Sequence, residues 1–116
     1  MRGEFWLGEH ILGDAHACYG DGQVYPGFMP LGLNAVCYRD GKIWAQTFPL
    51  GEPDACYEDG QVWCHHHPVG LPSAVYRDGQ VWRGTYACGL PAAVYRAEDG
   101  VAAVVWMTML RGGLYG

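Results

Sequence analysis

The chain holds few of the residues on which common catalytic and nucleic-acid-binding sites are built. Serine occurs once, at Ser73, behind Pro72 and with no G-x-S-x-G around it, which excludes a serine-nucleophile elbow. Lysine and arginine together number seven, against twelve Asp and Glu, for a formal charge of −5. Contacts to a run of phosphates need a concentrated basic surface, so nucleic acid is excluded as a partner. Long hydrophobic runs are missing as well. The opening M-R-G-E-F-W-L-G-E-H carries no apolar centre of signal-peptide length. Val101 to Leu110 falls short of the roughly 20 apolar residues of a spanning helix. No membrane partner is expected, and a cytoplasmic setting is the default.

Glycine and proline, in contrast, are plentiful, with 18 and 7 copies among 116 residues, half of them hydrophobic. That composition suits short strands and tight turns rather than long helices. Tyr19, Tyr38, Tyr57, Tyr76 and Tyr95 recur at one constant spacing. Asp-Gly follows the first four at Asp21-Gly22, Asp40-Gly41, Asp59-Gly60 and Asp78-Gly79, and an aromatic comes next at Tyr25, Trp44, Trp63 and Trp82. A fixed short period of this kind marks a repeat architecture. Asp-Gly between strand-prone residues predicts a hairpin with a type I′ turn, in which both central residues take positive φ. With Asp78-Gly79 as the loop, Arg77 faces Gln80, Tyr76 faces Val81 and Val75 faces Trp82. Both faces of each hairpin are then apolar near the base, so both are expected to pack against something.

The whole chain, 1–116, reads as one all-β domain of tandem 19-residue β-hairpin repeats. It comprises a half-unit over 2–11, repeats over 12–30, 31–49, 50–68 and 69–87, and a divergent copy over 88–110. Gly3, Phe5 and Trp6 precede Gly22, Val24 and Tyr25 by one full period, so Arg2 to Trp6 is an orphan second strand. In the last copy Asp99-Gly100 arrives two positions late, and Val101 to Leu110 is read as a long apolar strand. Pairing of that strand with the orphan would give a closed or nearly closed, barrel-like ring and remove both edges. An open hairpin meander or solenoid is the alternative, with the terminal units as caps.

Five cysteines make an odd set. Cys18, Cys37 and Cys56 share one repeat position with Val75 and Val94, which points to small buried side chains rather than a disulfide framework. Equivalent residues two strands apart are separated by roughly 9.5 Å, beyond the reach of about 7 Å that a disulfide allows. A reducing compartment follows as the default.

The recurring Y-x-D-G-x-V-W unit, from Leu12 to about Gly100, resembles two bacterial repeat types. One is the choline-binding wall module, whose hairpin repeats hold choline in aromatic cages. The other is the four-fold β-flower protein, built of short hairpins around a symmetry axis. In place of the doubled aromatic of the choline-binding pattern, this chain has Cys or Val beside a single Tyr, and no binding residue is carried over from either type.

Repeats present equivalent surfaces again and again, which suits binding more than catalysis. The first expectation is a non-catalytic module without a cofactor, using Tyr25, Trp44, Trp63 and Trp82 to engage a sugar-like or small cationic ligand, because aromatic faces attract cations and pack on sugar rings. The second is a structural or assembly protein with those aromatics buried and a protein partner, or a second copy, bound at an edge or rim. Burial of the Trp row separates the two. The third is metal binding at Cys64, His65, His66 and His67, where thiolate and imidazole suit zinc, nickel or copper. The turn aspartates are explained by their tolerance of left-handed backbone. Arg39, Arg77 and Arg96 are expected to cover neighbouring aromatic surface.

Overall fold

The computed structural model describes residues 3–65 and 67–110. Ten strands follow in order: β1 (Gly3–Leu7), β2 (Ala17–Gly20), β3 (Gln23–Pro26), β4 (Val36–Arg39), β5 (Lys42–Trp44), β6 (Ala55–Glu58), β7 (Gln61–Trp63), β8 (Ala74–Arg77), β9 (Gln80–Arg83) and β10 (Ala93–Arg96). Each pairs antiparallel with its sequence neighbours, and β1 pairs with both β2 and β10, so the sheet closes into a barrel. The Asp-Gly pairs make the expected turns. Asp21, Asp40, Asp59 and Asp78 have φ near 50° and the glycines after them φ near 80°, the two positive values of a type I′ loop. Within the fourth copy Arg77 pairs with Gln80, Tyr76 with Val81 and Val75 with Trp82.

Closure uses the same register. Phe5 stands opposite Tyr95 and Trp6 opposite Val94, as Val81 and Trp82 stand opposite Tyr76 and Val75. The orphan strand at the start of the chain is therefore the missing second strand of the fifth hairpin. Five hairpins make ten strands, and no edge is left open.

Val101 to Leu110 is not a strand. It forms a short α-helix, α1 (Val101–Val105), that continues as a π-helical turn over Trp106–Leu110. Every residue from Val101 to Met109 is buried, and the helix shares one core with the inner faces of the strands. Eight strands enclose little more than their own side chains, and ten leave room at the centre. An apolar helix with no polar face is the element that fills such a space. The pairing partner of β1 is thus β10, and the late Asp99-Gly100 serves to turn the chain inward. Ala97 and Gly100 hold φ of 69° and 95° at that bend. The tail 111–116, expected to fray, and Arg2 of the orphan strand lie outside the described residues.

Alternation along the strands sorts side chains into two layers. Tyr19, Tyr38, Val24, Ile43, Val62, Val81 and Phe5 point inward, with Ala17, Val36, Ala55, Ala74 and Ala93 as small neighbours that give the helix its space. Tyr19 sits at the junction. Its hydroxyl lies 2.7 Å from the carbonyl oxygens of both Arg96 and Ala97, which share its one proton, and its ring lies against Gly3, where a Cβ would overlap it. At the far end Arg83 Nη1 donates to the Met109 carbonyl at 2.8 Å, and Thr108 Oγ1 to Val104 at 2.8 Å. The helix is tied at both ends.

Candidate functional site

The outward layer carries the row of aromatics, and the five connections between hairpins fold over it. Trp44, Trp63 and Trp82 are only 5, 6 and 7% exposed, and Trp6 only 4%. A buried indole N–H needs an acceptor. Each finds one in the loop that follows, where Trp6, Trp44, Trp63 and Trp82 donate to the carbonyls of Gly13, Gly51, Gly70 and Gly89, all at 3.1 Å. Tyr25, the member without an indole, is half-buried and donates to Gln23 Oε1 at 3.0 Å. In its loop Asn34 Nδ2 instead bonds the carbonyls of Val36 and Thr47, at 3.1 and 3.2 Å. Cys18, Cys37 and Cys56 lie between the rings as buried thiols, and burial pushes Cys37 and Cys56 up from the ordinary thiol range. Three of the four expected ligand residues, Trp44, Trp63 and Trp82, are therefore covered by loops, and Tyr25 is half-buried. A ligand could reach Trp44, Trp63 or Trp82 only by lifting a loop.

The described members of the Cys-His cluster are on the surface. Cys64, His65 and His67 are exposed in the loop after β7, and His66 lies outside the described residues. Among the described residues no group of three or more His, Cys, Asp or Glu side chains is placed to hold a metal ion. Two arginines lie over aromatic rings as expected: Arg77 is 6.0 Å from the Trp82 ring centre and Arg96 5.5 Å from that of Trp6. Both also meet carboxylates at 3.8 Å, Asp78 and Glu4, in exposed pairs that contribute little.

What sequence reasoning passes over is the loop surface itself. Among the described residues, all twelve large apolar side chains that stand exposed belong to the connections between hairpins, and none to a turn. Leu12, Leu31, Leu33, Leu71 and Leu90 are 73 to 81% exposed. The signal is present in the copies, since Leu12, Leu31, Leu50 and Val69 recur before four of the five junction glycines. Two shallow clefts open beside these loops, at equivalent positions in alternate copies.

At the turn end of the barrel the tyrosine hydroxyls gather where the chain enters. Tyr38 donates to Asp99 Oδ2 at 3.1 Å, Tyr76 and Tyr95 meet edge to face at 6.1 Å, and the buried Tyr95 hydroxyl has no hydrogen-bond partner. Burial, with nearby carboxylates and phenols, holds Tyr19, Tyr38 and Tyr76 well above the ordinary tyrosine range.

Fold and surface together define a closed barrel of tandem hairpins, filled by its own helix and wrapped by apolar loops. Comparison with protein-family models, curated proteins and solved structures finds no match to the chain.

Proposed function

We propose that this protein is a non-catalytic interaction module that binds a protein partner, a second copy included, through the apolar loops around its barrel. The supporting observation is the division between buried and exposed aromatic and aliphatic groups. The Trp row is covered, and the leucines of the same loops are left in solvent. With every strand paired, strand addition at a free edge has no template, so the rim is the surface that remains. Exposed apolar side chains concentrated on one set of elements mark an interaction site.

The test is a Leu31→Asp, Leu33→Asp, Leu71→Asp, Leu90→Asp variant, compared with the parent by sedimentation velocity and by binding of the apolar dye ANS. The parent is expected to self-associate with rising concentration and to bind dye, and the variant to do neither while keeping its near-UV circular dichroism. A parent that stays monomeric and binds no dye would remove the loop surface as the binding face.

A further inference from the structure

The two clefts beside the loops are copies of one site. The first, about 200 Å³, is bounded by the turn Asp21-Gly22-Gln23, by Cys37 to Arg39 on β4 and by Thr47 to Pro49 of the loop after β5. The second, about 220 Å³, uses Asp59-Gly60-Gln61, Val75 to Arg77 and Thr85 to Ala87. These are the same repeat positions two copies later. Each cleft has one turn aspartate, one glutamine, one arginine, one threonine and one exposed aromatic ring, Phe48 or Tyr86, which are 62 and 74% exposed.

That set of groups selects its ligand by elimination. The guanidinium opposes a cation and the carboxylate opposes an anion, so neither charge sign gains from entering. Amide, hydroxyl, guanidinium and carboxylate supply donors and acceptors around the walls, and the ring supplies one flat apolar plate. A neutral ring bearing hydroxyls on its rim and C–H groups on its face satisfies both. Each cleft is smaller than the sites that take drug-sized ligands, which start at roughly 300 Å³, and has room for one such ring with its neighbours outside. The Gln23 carbonyl is already taken by the Tyr25 hydroxyl, which leaves the amide N–H groups to donate outward.

We infer that these clefts each bind one neutral sugar ring of an extended polysaccharide. Repetition of the cleft around the barrel suits a polymer that offers the same ring many times, because a second engagement on one chain is intramolecular and adds avidity without new contacts. The clefts share the loops of the protein-binding reading through Phe48 and Tyr86 but contain none of the four leucines substituted in its test, so the two experiments fail separately.

The experiment is a titration of the ¹⁵N-labelled full chain with three neutral oligosaccharides, maltohexaose, cellohexaose and chitohexaose, and with choline and inorganic phosphate as the cationic and anionic arms. At least one hexaose is expected to shift the amides of Gln23, Arg39 and Thr47 together with those of Gln61, Arg77 and Thr85. Phe48→Ala should abolish the first group of shifts and leave the second, and Tyr86→Ala should do the reverse, with thermal unfolding unchanged in both because the rings are exposed. Absence of shifts with all three sugars would overturn the inference. So would shifts driven by choline or phosphate alone, or sugar shifts that survive both substitutions.

Discussion

Tyr19 and Gly3 depend on each other. The tyrosine is fully buried, bonds the backbone where the chain turns into the barrel, and lies where any side chain on residue 3 would have to go. Gly3→Ala must push that ring or β1 aside, and overpacking of this kind costs about 1–3 kcal/mol. A urea-unfolding midpoint equal to that of the parent would show that the contact relaxes freely. Trp63→Phe keeps a ring under its loop but removes the donor to Gly70, for an expected loss of about 1 kcal/mol by the same measurement. Cys37→Val, by contrast, is expected to cost less than about 1.5 kcal/mol, since Val75 and Val94 already fill that position in two copies. The rule of exchange at this position can be read from the repeats alone. The indole bonds cannot, although a glycine stands at a fixed distance after each of these tryptophans.

At the scale of elements, the helix and the loops are the two parts that the chain's own pattern conceals. The hairpins announce themselves through Asp-Gly turns and alternation, and even the closing strand is marked by Gly3, Phe5 and Trp6. Val101 to Leu110 looks like a strand because a short, wholly apolar run has no periodicity to separate a buried helix from a buried strand. Tertiary surroundings decide it: all hydrogen-bonding positions of the sheet are already taken, and only a helix satisfies its own backbone in an apolar interior. The loops look like punctuation between copies, and their role as an outer layer emerges only with the distances. Met107, fully buried in the helix, gives the matching prediction. Met107→Ala should destabilise by about 2–5 kcal/mol, whereas Leu31→Ala on the exposed loop should stay within about 0.5 kcal/mol. Equal effects in thermal unfolding would mean that the helix is not part of the core.

For the whole molecule the buried tyrosines set a limit at high pH. Burial raises Tyr19, Tyr38 and Tyr95 above the ordinary value, so the folded state keeps protons that the unfolded chain releases. Below about pH 10 both states hold them and these tyrosines add no pH dependence. Above that, the unfolded state binds fewer protons, and stability falls by up to about 1.4 kcal/mol per pH unit for each fully buried tyrosine. Urea titrations on either side of pH 10 should show the decline, and Tyr19→Phe should make it shallower at the expense of overall stability. A parent stability that is constant through this range would place the hydroxyls in water.

The strand that closes the ring also sets an order of events during synthesis. Glu4 waits for Arg96, and the helix that fills the barrel follows β10 in the chain. A nascent chain can stack hairpin upon hairpin as each leaves the ribosome, but it keeps an unpaired edge and an unfilled interior until β10 and the helix behind it have been made. Such edges pair readily with other chains. Closure waits for β10 and filling for the helix behind it, so the yield of folded protein depends on how quickly that stretch follows the first hairpins.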